Sequence, residues 1–394
     1  MSLRPWKKRR DVFWKTDVEA EHLVFIDDRR LVASAASGLH SWSMNGGLST
    51  IEASSAAGWT HGVIFWGTSG DGWLIRSDGD GGLAWRHEGD GRFASPVVIP
   101  QIPRSQWCLA ANAGPTWIAR HDEERSAVVV VRRSPPSEPV DLATWLTSRA
   151  VENVLTYPFG GQSIARLIAS RRGLRFGIIT LSSGHILSTA QGSEQRTFDG
   201  NPDGHPESGA LSSDGEILAV ASRVLELFST ASPTRQYSAN SVAARAVAFH
   251  PSGRHMVYFG HVDAGAGQGE LVVFDVITGA ARAVSPTMKF PRSRVPLEFS
   301  PSGRLLAFAV SELVVLDFQA VLDHWDEFPA PAGPTPNRVG LDTTTDPEAA
   351  MMSWSGRLIL AAYSRAWSNG DRDFEIERLF NELLWSYLDD VRDP

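Results

Sequence analysis

Three stretches of this chain repeat one local design, and that recurrence limits the possible folds more than any other feature. They run Ala210-Leu-Ser-Ser-Asp-Gly-Glu-Ile-Leu-Ala-Val-Ala, Ala248-Phe-His-Pro-Ser-Gly-Arg-His-Met-Val-Tyr-Phe and Glu298-Phe-Ser-Pro-Ser-Gly-Arg-Leu-Leu-Ala-Phe-Ala. In each, an apolar strand end leads into a turn and a second apolar strand follows. The pattern reads as a hairpin: proline presets φ at the first central turn position, and glycine reaches the positive φ that reverses the chain. A third strand comes next, as Leu271-Val-Val-Phe-Asp275, as Leu313-Val-Val-Leu-Asp317 and, more loosely, as Val224-Leu-Glu-Leu-Phe228.

Weaker copies extend the pattern along the chain. Leu23 to Ala35 precedes Leu39-His-Ser-Trp42, and Val63-Ile-Phe-Trp66 precedes Gly72-Trp-Leu-Ile75 and Gly82-Leu-Ala-Trp85. Trp107 to Val131, Val151 to Leu187 and Met351 to Ala362 read as further units. Unit starts fall near residues 23, 63, 107, 153, 209, 246, 296 and 350. A period of roughly 40 to 50 residues is the mark of a propeller or a related array.

These segments resemble the blades of WD-repeat propellers, in a degenerate form of bacterial type. Phe274-Asp275 and Leu316-Asp317 stand where that family places Trp-Asp, and Thr278-Gly279 where such repeats turn toward the next blade. The Gly-His dipeptide and the regular Asp-His-Ser-Trp network of the family are missing. The resemblance implies an all-β chain forming a single closed β-propeller of seven or eight four-stranded blades. Residues 1–22 would be a basic N-terminal tail, with Asp11 to Lys15 as a strand that closes the ring. The propeller would span 23–370, and 371–394 would hold a C-terminal helix. Phe249, Phe274, Phe299, Phe308 and Leu316 are expected to be buried between neighbouring blades.

Composition narrows the function classes. A formal charge of −8, with both signs spread along the chain, gives no general attraction to nucleic acid or an anionic membrane. One cysteine, Cys108, rules out an intramolecular disulfide and a site built on several thiolates. Apolar runs such as Leu305 to Val310 fall far short of the ~18 residues that span a bilayer. No apolar stretch of signal-peptide length follows the basic start, so the cytoplasm is the expected compartment. Only four of the 37 basic residues are lysines, an arginine excess typical of GC-rich bacterial coding.

Three segments break the β rhythm. Asp141 can cap a short helix bearing Leu142, Trp145 and Leu146. Asp317 can cap another, with Phe318, Val321, Leu322 and Trp325 on one face. Residues 329–336 are proline-rich and read as an extended surface loop. From Phe374 to Val391 the spacing predicts a helix with a broad apolar face that includes Phe380, Leu384 and Leu388, while Phe374 and Trp385 fall among acidic residues. Such a face either covers the protein's own surface or docks a partner. Phe374, Phe380, Leu384, Trp385, Leu388 and Trp325 are the candidate partner-binding residues.

Candidate chemistry is thin. Asp199, Asn201, Asp203 and Gly204 match the first half of a calcium loop, but Ala210 stands where a bidentate glutamate should close it. A polar turn between blades is the alternative. Asp71, Asp78, Asp80 and Asp90 sit in glycine-rich stretches that read as hairpin turns. No His-Glu-x-x-His pattern and no phosphate-binding glycine loop occurs, and Gly161-Gln-Ser-Ile-Ala165 lacks the last glycine of a nucleophile elbow. Neither a catalytic residue nor a cofactor is therefore assigned. Lys7, Lys8, Arg9 and Arg10 form a basic tail, either solvated or an arm for an acidic partner or nucleic acid.

The expected function is a non-enzymatic scaffold that presents propeller loops and a C-terminal helix to other proteins in a multiprotein assembly. The alternative is a hydrolase or lyase whose site gathers residues from several blades at the mouth of the central channel.

Overall fold

The computed structural model describes residues 11–336 apart from a number of internal stretches, chiefly 53–62, 101–106, 134–154, 200–207 and 239–243; residues 1–10 and 337–394 lie outside the described part. The described part is all-β, with seven separate antiparallel sheets and little helix. Sheets 1 to 6 begin with Ala20–Asp27, Val63–Thr68, Trp107–Ala110, Ile164–Ala169, Ser208–Leu211 and Ala244–Phe249. Each of these sheets is a meander of four consecutive strands, and sheet 6 adds a short fifth, Met288–Lys289.

Sheet 7 is built differently. The chain supplies Leu297–Phe299, Leu305–Ala309 and Leu313–Asp317, and the fourth strand is Val12–Thr16 from the N-terminal end. Thr16 lies opposite Leu313 and Lys15 opposite Val314, and the Lys15 ammonium lies 2.9 Å from the Glu312 carboxylate. The first strand of each sheet contacts the first strand of the next, and that of sheet 7 contacts that of sheet 1.

The core lies between successive sheets. In sheet 7, Leu306, Phe308, Val314 and Leu316 face Val257, Phe259, Leu271 and Val273 of sheet 6. Leu305, Ala307, Leu313 and Val315 face Phe25, Leu31, Ala33 and Trp42 of sheet 1. Neighbouring strand residues point to opposite faces, so a sheet covered on both sides needs unbroken apolar runs. That requirement accounts for Leu-Leu-Ala-Phe-Ala at 305–309 and Leu-Val-Val-Leu at 313–316. Of the five residues expected in this core, Phe274, Phe299, Phe308 and Leu316 are buried, while Phe249, at the end of its strand, is half-buried.

The three matching turns share one hydrogen-bond scheme. Gly215, Gly253 and Gly303 have φ of 78°, 81° and 84°, and each donates its N–H to the carbonyl three residues back, on Ser212, His250 and Ser300. Ser212 and Ser300 also accept from Ile217 and Leu305 through their hydroxyls. The fully buried serines thus complete the turn where His250 stands in the middle copy.

One sequence expectation changes here. Leu155–Pro158 pairs with Ala127–Arg133 as the last strand of sheet 3, so sheet 4 begins at Ile164 and not near residue 153. The long connection at 134–154 hides this strand from its sheet in the sequence. The unit read at Met351 and the helix read at Asp141 lie outside the described residues, as does the whole of 371–394.

Candidate interaction surface

Asp275 and Asp317 occupy the same position at the ends of equivalent strands but do different work. Asp275 is buried, accepts from Arg254 at 2.8 and 3.0 Å, and accepts the Thr278 N–H at 3.1 Å. It thereby shapes the turn into its sheet's fourth strand, Ala281–Ala283. Sheet 7 takes its fourth strand from the N-terminal end, so after Asp317 the chain is free to leave. It forms helix α1 (Phe318–Asp323), with the Asp317 carboxylate accepting the Ala320 N–H at 3.1 Å as the N-cap. Arg304 lies 3.7 Å from Asp317, the counterpart of Arg254 beside Asp275.

Helix α1 ends at Asp323, and Trp325–Glu327 forms a separate 3-10 turn. Trp325 is therefore not on the same helix as Phe318, contrary to the i+7 spacing. Both still reach the core between sheets 6 and 7, with Phe318 buried in it and Trp325 half-buried against it. Phe318 stacks on His250 at 5.1 Å between centroids and meets Phe299 edge-on at 4.9 Å. Trp325 lies 6.1 Å from the His255 ring, and the Arg282 guanidinium sits 5.5 Å from the centre of the indole.

Around this half-buried tryptophan the surface is polar and mainly acidic. Asp323, Asp326 and Glu327 are exposed, and Asp326 lies 3.7 Å from Arg282. Glu327 lies 3.1 Å from His324. Behind the indole, His255 is buried with its Nδ1 unbonded, and burial lowers its pKa to about 4, with the Asp275 carboxylate opposing and Arg254 reinforcing that shift. The ring is therefore neutral at physiological pH and packs as part of the aromatic wall.

Trp325 is the one candidate partner-binding residue among those described; Phe374, Phe380, Leu384, Trp385 and Leu388 lie outside. Of the calcium candidates, Asp199 ends the strand Gln195–Asp199 opposite Ser183, while Asn201 and Asp203 lie outside the described residues. The basic tail Lys7, Lys8, Arg9 and Arg10 also lies outside. Among the described residues no three His, Cys, Asp or Glu side chains gather in a way that could hold a metal, and no helix is long and apolar enough to cross a membrane. Arg282 and the His250–Phe318 stack were not singled out in the sequence, because only the fold brings 250, 282 and 318 together.

No protein-family model matches this chain, and no curated protein sequence does. Its fold is similar to many solved structures, 1091 chains in all, too broad a set to select a function. One is a crystal structure of Chaetomium thermophilum Raptor, at a TM-score of 0.56 and 10% identity, covering 78% of this chain and 28% of that one. At that identity the likeness is one of fold alone.

Proposed function

We propose that the seven sheets close into a single ring, a β-propeller of the WD-repeat-like kind, and that the protein is a non-enzymatic scaffold for protein partners in a multiprotein assembly in the cytoplasm. Ring closure is supported by the unbroken circuit of contacts between first strands and by the N-terminal strand that completes sheet 7. A closed ring leaves few exposed sheet edges and gives a rigid frame on which surfaces can be displayed.

The observation that carries the scaffold reading is the surface at Trp325. A half-buried indole with a guanidinium over it and acidic side chains around it has the make-up of an interface centre with a polar rim. The C-terminal stretch, with Phe374, Phe380, Leu384, Trp385 and Leu388, belongs to the same reading as a second contact region.

The test is quantitative affinity purification of the full chain against Trp325→Ala and against a truncation after Asp373. The expected result is a shared set of proteins lost or weakened in both variants, with melting close to that of the parent. An unchanged protein set in both folded variants overturns the scaffold site.

A further inference from the structure

Residues 329–333 follow the 3-10 turn, and their proline content predicts a free extended loop. In the structure this stretch is tied down. The Pro329 carbonyl accepts the Ala283 N–H at 3.0 Å, on the outer strand of sheet 6. Ala332 and Gly333 donate their N–H groups to one oxygen of Glu270, at 2.7 and 3.4 Å. Glu270 is a buried residue on the strand Gln268–Asp275, and among the described residues no ion pair offsets its burial. Burial pushes its carboxyl above the ordinary range, and the two backbone N–H groups pull it back.

A second feature points the same way. Gly333 crosses the backbone at His261, where a Cβ would collide with the His261 carbonyl oxygen. That collision is with main chain, so it cannot be relieved by a rotamer change. Glycine is the residue that permits so close an approach. The stretch is thus held by a side-chain acceptor on one strand and by steric fit against another, while Pro329 and Pro331 within it have no N–H to offer.

We infer that residues 329–333 are a strap locked along sheet 6, and that Glu270 is its latch. Two of the few N–H donors in the strap go to this one carboxylate, so a single side chain controls it. Releasing the strap uncovers the outer N–H of Ala283 as an open sheet edge.

Hydrogen exchange followed by mass spectrometry on the full chain tests this, using Glu270→Ala, Glu270→Gln and Gly333→Ala. Glu270→Ala removes the acceptor, and Gly333→Ala wedges the strap from the other side. Both should speed exchange in peptides covering 329–333 and Ala283 by tenfold or more, while the pairing of Val257 with Val273 in the heart of sheet 6 keeps its protection. Glu270→Gln, which keeps an acceptor oxygen, should fall between them and the parent. If the strap peptides exchange as in the parent in both Glu270→Ala and Gly333→Ala, there is no latch. If sheet 6 loses protection together with the strap in all three variants, the stretch is an inseparable part of the sheet and the inference fails.

Discussion

Sheets 5 to 7 and sheets 1 and 2 reach the same four-stranded sheet by different local means. Sheets 5 to 7 share a six-residue turn with a serine or histidine at its start and a glycine of positive φ at its fourth place. Sheet 2 has no such turn: Thr68 pairs with Asp71, so only Ser69 and Gly70 separate its first two strands. In sheet 1, likewise, Asp27 pairs with Arg30, so only Asp28 and Arg29 separate its first two strands. What the two groups have in common is burial on the faces between sheets, as with Leu74 and Trp85 against Ile26, Val32 and Leu39, or Ile179 against Leu218, Val220 and Phe228. The turn is one way to reverse the chain; the packed faces are what every sheet must supply.

If that is right, core truncations should cost alike in both groups. Phe299→Ala in sheet 7 and Trp85→Ala in sheet 2 each remove a buried aromatic side chain, 3% and 2% exposed. Each should destabilise by about 3–5 kcal/mol in urea unfolding. A cost at Trp85 below about 1 kcal/mol would show that the sheets without the shared turn are held by something other than their faces.

A smaller effect comes from pH and is set in sheet 6. Folded His255 has its pKa lowered to about 4, mainly by burial, whereas an unfolded histidine protonates near 6.5. Between those values the unfolded chain binds more protons, so stability is complete above pH 6.5 and falls as the pH drops toward 4, by at most about 3 kcal/mol. His255→Leu should flatten the slope between pH 6.5 and 5. An unchanged slope would mean that His255 is charged in the folded protein.

The smallest expected effect lies in the turn itself. Gly303 has a φ of 84°, and a Cβ there would collide with the His250 ring that stacks on Phe318. Gly267 also has positive φ, at 59°, but faces open space. Gly267→Ala should cost about 1 kcal/mol from backbone strain alone, and Gly303→Ala about 1 kcal/mol more. Equal costs would show that His250 moves aside freely.

Much of this fold was legible in the chain, and the reason is local chemistry. The Pro-Ser-Gly turns mark sheets 6 and 7 because proline, serine and glycine each have a defined place in the hydrogen-bond scheme. Asp317 was legible as a helix cap for the same reason. Leu155–Pro158 was assigned to the wrong unit because its partner strand ends at Arg133, beyond a long connection, and periodicity does not report pairing across such a gap. The surface around Trp325 was legible only as a lone aromatic. Its neighbours Arg282 and His255 come from sheet 6, and nothing in the local sequence ties them to residue 325. The latch at Glu270 was not legible at all, since a glutamate within a strand carries no signal that it will meet the backbone some sixty residues on, at Ala332 and Gly333.

The central claim is that the sheets close on themselves, with sheet 7 beside sheet 1. Asp28 in sheet 1 accepts the Ser302 N–H from sheet 7 at 2.9 Å, although the two residues are 274 apart in sequence. The direct measurement is intramolecular cross-linking of Asp28→Cys/Ser302→Cys in a Cys108→Ser background, with a short bifunctional thiol reagent. The closed ring predicts rapid, concentration-independent formation of a cross-linked monomer that neither single-cysteine variant gives. Cross-linking only between molecules, or none in a folded protein, would contradict closure and leave the seven sheets as an open array.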